Sequence, residues 1–187
     1  ACAVASSCAT GGRRDHSSPD IPPTEWPSYG RDAGGTRFAP LTEITPANVG
    51  ELKLAWSMST GTDKGLEGAP LVIGSTMYAH SSFPNHVFAI DLTKPDHPLK
   101  WKYTPEQDDR AVPVACCDLV HRGLNYSEGK ILMITLDAQV IALDANTGKE
   151  VWKTKNGDPT KGETMTGAGL VRSEERRVGK ECRSRWS

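Results

Sequence analysis

The chain has 187 residues, 22 basic and 23 acidic side chains and a hydrophobic fraction of 37%, enough for one sizeable domain with its own core. A formal net charge of −1 offers nucleic acid no basic surface, and no apolar run is long enough to cross a bilayer as a helix. The 18 Gly, 13 Pro and 5 Trp favour many short strands and tight turns.

At the N-terminus, Ala1-Cys2-Ala3-Val4-Ala5-Ser6-Ser7-Cys8 has the small side chains that end a secretory signal. It reads as an A-x-A cleavage site, as a lipoprotein cysteine at Cys2, or as a flexible small-residue linker. Residues 9–25, with Gly11, Gly12, Arg13, Arg14, Pro19, Pro22 and Pro23, read as a disordered tether. Residues 1–25 are therefore set apart from the folded body. Leu54-Ala55-Trp56 is expected to close a preceding sheet, and Pro70-Leu71-Val72-Ile73 and Thr76-Met77-Tyr78-Ala79 begin a run of short strands.

Val114-Ala115-Cys116-Cys117-Asp118-Leu119-Val120-His121-Arg122-Gly123-Leu124 passes from apolar to polar within a few residues, as a pocket rim does. Adjacent cysteines are metal ligands, buried thiols or, in an oxidising compartment, a disulfide closing a small strained ring. Zinc ligands are normally separated by two or more residues and need a second Cys or His pair, which this segment lacks. Two small buried residues in a strand are the plain alternative.

A repeat sets the fold. His86-Val87-Phe88-Ala89-Ile90-Asp91 with Leu99-Lys100-Trp101-Lys102 has the design of Gln139-Val140-Ile141-Ala142-Leu143-Asp144 with Glu150-Val151-Trp152-Lys153: strand, turn, strand, tryptophan. In the second copy Asp144-Ala145-Asn146-Thr147-Gly148-Lys149 has turn chemistry, with Asp and Asn capping backbone groups and Gly supplying positive φ. The first copy has a Pro-containing loop, residues 93–98. Further strands stand upstream of the second copy, Gly123-Leu124-Asn125-Tyr126 and Lys130-Ile131-Leu132-Met133-Ile134, and pairing Leu71 with Leu124 and Asp91 with Asp144 gives one offset of 53 residues. Gly169-Leu170-Val171 would open another unit. Four short strands per unit at this spacing mark a β-propeller, whose neighbouring blades cover one another's faces. A recurrent Trp fills the flat interface between twisted sheets. An ordinary β-sandwich would have to match turn positions and strand order by coincidence. Two full and two partial units do not close a ring, so the expected fold is all-β, the opening blades of an incomplete propeller over residues 26–171.

Residues 172–187 follow neither helical nor strand periodicity. They resemble a sequencing adapter read through in frame; the competing reading is a basic tail for nucleic acid or anionic lipid. The run interleaves three Glu with six Lys and Arg, and without it the net charge of the body is −4.

Trp26-Pro27-Ser28-Tyr29-Gly30-Arg31-Asp32, Leu41-Thr42-Glu43-Ile44-Thr45, Asn48-Val49, Gly68-Ala69-Pro70-Leu71-Val72, Val114-Ala115-Cys116-Cys117 and Gly162-Glu163-Thr164-Met165-Thr166 resemble the N-terminal part of the pyrroloquinoline quinone (PQQ)-dependent alcohol dehydrogenases. The methanol dehydrogenase branch, with its lanthanide-using members, fits these motifs in particular. The resemblance runs from about Trp26 to Val171. It implies an eight-bladed periplasmic quinoprotein propeller with the cofactor on its axis, of which this chain holds the first two to three blades. It further implies that Glu67 contacts the quinone, that Cys116 and Cys117 form a vicinal disulfide against one face of the ring, that Arg122 pairs with a cofactor carboxylate and that Thr166 hydrogen-bonds to it. The chemistry agrees: a planar tricarboxylate calls for a flat polarizable floor and for the planar donor fork of arginine. Glu67 beside an anionic cofactor must accept N–H donors or be protonated.

The family's metal ligands, catalytic aspartate and second stacking tryptophan come from later blades. No catalytic or metal-ligating residue is therefore expected in this stretch, and Asp118, Asp137 and Asp144 are not assigned those roles. The implied function is oxidation of a small primary alcohol, methanol or ethanol, by hydride transfer to PQQ with Ca²⁺ or a lanthanide in the complete protein. Electrons would pass to a c-type cytochrome, a homodimer of the full-length protein is allowed, and the isolated stretch is expected to be inactive. A non-catalytic propeller, an outer-membrane scaffold lipoprotein anchored at Cys2, is the alternative. Cys116, Cys117 and Arg122 weigh against it, because a scaffold has no use for a disulfide floor or a carboxylate clamp.

Overall fold

The computed structural model describes residues 21–32, 34–115 and 118–171; the readings of Cys2, Cys116, Cys117 and residues 172–187 lie outside them. Eight strands form two antiparallel meanders of four, ordered β1-β2-β3-β4 and β5-β6-β7-β8. The first holds β1 (Leu71–Ile73), β2 (Thr76–His80), β3 (Val87–Asp91) and β4 (Leu99–Tyr103). The second holds β5 (Asn125–Ser127), β6 (Lys130–Ile134), β7 (Gln139–Asp144) and β8 (Glu150–Lys155). Among the described residues no helix is long and apolar enough to cross a membrane.

The two sheets are copies of one unit down to their irregularities. Register breaks between Ala89 and Ile90 in the first and between Ala142 and Leu143 in the second, where a bulge adds local twist. The offset is not uniform, however. Leu71↔Tyr78 recurs as Asn125↔Leu132, a shift of 54, whereas Asp91 and Asp144 keep 53 because the stretch between the paired His80 and Val87 is one residue longer than that between the paired Ile134 and Val140. Leu124 accordingly precedes β5 and is fully buried there. Leu54-Ala55-Trp56 and Gly169-Leu170-Val171 were expected as strands and are irregular. Leu54 is 83% and Leu170 74% exposed, and neither run finds a strand among the described residues to pair its backbone groups.

The repeat tryptophan does what its position implies. From β4, the Trp101 indole Nε1 donates to Ala145 O at 3.0 Å, and Tyr78 Oη from β2 donates to the same carbonyl at 3.1 Å. Gly148 has φ +69°, and a Cβ there would lie 2.5 Å from the Trp101 ring, so the turn requires glycine both for its backbone and for its contact. Asp144 Oδ1 organises that turn by accepting from Asn146 N, Thr147 N and Thr147 Oγ1. In the first unit Asp91 Oδ1 does the same with Thr93 N and Oγ1, so the Pro-containing loop keeps the cap that its sequence hides.

Between the sheets Leu71, Tyr78, Val87 and Ala89 meet Leu124, Ile131, Met133, Ile141, Leu143 and Ala145 in one core, with Trp26 packed against it. The segment leading out of Trp26 laces the two inner edges together. Trp26 pairs with Val72 beside β1, and Ser28 pairs with Asn125 of β5. Trp152, the counterpart of Trp101, is 42% exposed.

Candidate functional site

Three of the five expected cofactor residues come together. Glu67 lies in the lead-in to β1, Arg122 in the lead-in to β5, and Thr166 in the run before Gly169. Arg122 joins the others: its Nε is 3.1 Å from Glu67 Oε2, and its Nη1 donates to Thr166 Oγ1 at 2.6 Å. The backbone fixes the last contact, since Arg122 N donates to Thr166 O at 3.1 Å and Met165 N to Leu136 O at 3.2 Å. Arg122 and Glu67 remain 37% and 48% exposed, so the ion pair contributes little stability on its own account. Its value is geometric: a guanidinium contacted through both Nε and Nη1 is fixed in its plane and presents Nη2 in a set direction.

Cys116 and Cys117 lie outside the described residues, but both flanks of the pair are anchored. A 3-10 turn, Asp109–Val114, leads in, capped by Asp108 accepting from Arg110 N. On the far side Leu119 O accepts from Phe83 N at 3.0 Å. Phe83 belongs to the β2–β3 loop, residues 81–86, whose ties the sequence did not disclose. Asn85 Oδ1 accepts from Leu136 N at 3.2 Å, Gln107 Nε2 donates to Pro84 O at 2.8 Å, and Ser82 Oγ contacts Thr62 Oγ1 at 3.1 Å. One loop therefore binds the lead-in of the first sheet, the segment before the cysteines and the β6–β7 turn.

Sequence reasoning also missed a histidine pair beneath the site. His80 at the end of β2 and His121 beside Arg122 are 2% and 1% exposed. Their Nδ1 atoms are 3.1 Å apart, and the rings meet edge to face at 4.5 Å. Desolvation, with the neighbouring imidazole adding to it at His121, lowers His80 to about 4 and His121 to about 3, so both rings are neutral near pH 7. The available signals were weak, a polar residue at an inward β2 position and a histidine next to the presumed clamp.

Two of the three aspartates not assigned catalytic roles, Asp144 and Asp137, have structural ones. Asp144 caps its turn. Asp137 is 3% exposed and accepts from Thr135 Oγ1, Asp108 N and Gln139 Nε2. Among the described residues no group of three His, Cys, Asp or Glu could hold a metal ion.

A sequence profile described as "PQQ: Glucose/ethanol/alcohol dehydrogenase, beta-propeller domain" matches residues 26–153. The chain belongs to this family. The lanthanide-dependent methanol dehydrogenase of Methylacidiphilum fumariolicum (strain SolV) is 56% identical over 157 residues, which cover 84% of this chain and 26% of that protein. Methanol dehydrogenase (cytochrome c) subunit 1 of Methylobacterium organophilum is 45% identical over 152 residues, 78% of this chain and 24% of the relative. The solved structure of a europium-containing methanol dehydrogenase superposes with a TM-score of 0.79 at 57% identity, covering 81% of this chain and 26% of that one. This stretch of PQQ propeller thus spans about a quarter of the length of those relatives.

Proposed function

We propose that the chain supplies the opening blades of a periplasmic PQQ-dependent alcohol dehydrogenase of the methanol dehydrogenase class, and that Glu67, Arg122 and Thr166 form one edge of its cofactor site. The observation that carries this reading is Arg122 held between Glu67 and Thr166, residues contributed by three successive lead-ins of a PQQ-family propeller. The fit is chemical: beyond Nε and Nη1 the guanidinium keeps Nη2 to donate to a carboxylate oxygen, a charge-assisted hydrogen bond. Glu67, with its charge offset by Arg122, is placed to accept an N–H without two anions facing each other unscreened.

In this reading PQQ supplies the two-electron acceptor for the alcohol. Arg122 orients and partly neutralises a carboxylate of the ligand, Thr166 holds the guanidinium in plane, and Cys116 and Cys117, joined as a disulfide, give a rigid floor. The same reading assigns the complete protein a small primary alcohol as substrate, Ca²⁺ or a lanthanide as Lewis acid and a c-type cytochrome as acceptor, and it admits a homodimer. Support for the metal and the acceptor comes from relatives named for a lanthanide and for cytochrome c.

The test is to express the full-length protein containing this stretch, with calcium or a light lanthanide supplied, and to measure bound quinone by absorbance and methanol-dependent dye reduction. Stoichiometric quinone and alcohol-dependent reduction are expected. A correctly folded full-length protein with neither would sink the proposal and return the chain to the scaffold class.

A further inference from the structure

We propose that His80 and His121 are positioning residues: a neutral imidazole pair, locked in opposite tautomers, that sets the spacing between the Glu67 and Arg122 lead-ins. The inference rests on the cofactor-edge reading above for its purpose, and for its existence on the geometry of the ring contact between two deeply buried imidazoles.

The pair sits between the two segments it would space. His80 ends β2 in the first sheet, and His121 immediately precedes Arg122 in the lead-in to the second. Gly68, next to Glu67, rests on the His80 ring so closely that a Cβ there would overlap the imidazole, and it would also stand 3.0 Å from the carbonyl carbon of Arg122. Glu67 is thus carried by a glycine seated on one ring, and Arg122 is the chain neighbour of the other. Moving either ring moves one end of the Glu67–Arg122 pair.

The contact dictates the tautomers. Two neutral rings meeting Nδ1 to Nδ1 at 3.1 Å share one proton, so one ring carries it on Nδ1 and leaves Nε2 bare, while the other accepts at Nδ1 and carries its proton on Nε2. Neither Nε2 has a hydrogen-bond partner among the described residues. A hydrophobic pair would fill the same space, but it would not define a single separation through a directional bond.

The experiment is nitrogen-15 spectroscopy of the labelled chain at pH 7, reading the imidazole nitrogens of His80 and His121 and the Nε–H of Arg122. The expected result is one ring protonated at Nδ1 and the other at Nε2, with an Arg122 Nε–H signal slowed in exchange by Glu67. His121→Phe should abolish that slowed signal, and His121→Gln, which keeps a polar group, should restore it at least in part. In the full-length protein the same Phe variant should lower quinone affinity about tenfold or more, with rescue by Gln. Both rings in one tautomer, or an Arg122 signal indifferent to His121→Phe, would overturn the proposal. If the full-length protein binds no quinone while the tautomers and the Arg122 response are as described, the proposed function fails and the positioning pair stands. Should the Phe variant not fold, His80→Gln read against the wild type decides, since loss of the opposite-tautomer pattern must then carry loss of the slowed Arg122 signal.

Discussion

Acid should weaken this chain well before its carboxylates titrate, and the histidine pair is the reason. The ordinary imidazole value is 6.5, and burial lowers His80 to about 4 and His121 to about 3 in the fold. Above pH 7 both states are neutral and the pair contributes no pH dependence. As pH falls through 6.5 the unfolded chain takes up protons that the folded chain refuses, and stability is lost progressively until the folded values are reached. At pH 5 each buried ring costs about 2 kcal/mol relative to pH 7.5. With a urea slope of about 2 kcal/mol/M, the two rings together move the midpoint down by about 2 M. The aspartates do not confuse the window. Asp108, held down to about 2 by its hydrogen bonds to Arg110, and Asp32, Asp91, Asp144 and Asp158, all lowered from 3.8, act only as pH drops below that value. His86 is lowered too, by burial and then by Lys102, so the control is specific: a His80→Gln, His121→Gln double variant should lose most of the slope between pH 6.5 and 4.5. Urea titrations monitored by tryptophan fluorescence measure it. A midpoint that stays fixed from pH 7.5 to 5, or an equal slope in the double variant, would refute the buried neutral pair.

Gly148→Ala should cost about 2–4 kcal/mol, from the left-handed backbone and the displaced Trp101 ring together, and should show as a lower Tm with altered tryptophan emission. Trp101→Ala should cost about 3 kcal/mol and Trp152→Ala less than about 1 kcal/mol in this chain, by urea titration, because only the former is docked on a neighbouring turn. Arg122→Lys in the full-length protein should lower quinone affinity about tenfold or more with little change in Tm, since a point charge cannot replace a planar guanidinium that contacts Glu67 and Thr166 while donating to the ligand; unchanged affinity in a quinone titration would remove Arg122 from the site. Non-reducing peptide mapping of the full-length protein should find Cys116 and Cys117 in one peptide two hydrogens lighter than the dithiol.

What could be read in advance was whatever the chain states locally. Asp144 to Lys149 announces its turn through residue types whose side chains cap the backbone within three positions, and Trp101 announces an interface through its size. The Asp91 cap was invisible because Thr93 sits among Lys94, Pro95 and His97 in a loop that does not look like its counterpart. Glu67, Arg122 and Thr166 have no local pattern at all. Each lies in an irregular lead-in, and only family resemblance brought them forward; their proximity is a tertiary fact. His80 was read as part of no motif, because its partner is 41 residues away and burial cannot be inferred from a single strand position. Leu54-Ala55-Trp56 failed in the opposite sense: its apolar pattern is real, but a strand needs a neighbour for its backbone, which sequence pattern alone cannot supply.

The placement of the site follows from the repeat itself. Each unit begins with a lead-in that delivers an inner-edge strand, so residues a few positions before β1, before β5 and before Gly169 approach one another although whole sheets separate them in sequence. Glu67 and Arg122 belong to different sheets, and their separation of 3.1 Å therefore depends on how those sheets are set relative to each other. The shared core, the Trp26 segment and the β2–β3 loop all contribute to that setting, and two polar contacts add direction to it: Tyr78 and Trp101 on the Ala145 carbonyl, and His80 on His121 under the lead-ins. The first is rigid because both donors converge on one acceptor in a turn that glycine alone can close. The second is directional because two neutral rings can share only one proton. A half-exposed ion pair is too weak to hold two sheets in register, so causation runs from the interface to the site: the blades dock through buried groups, and the guanidinium meets its partners as a consequence of that docking.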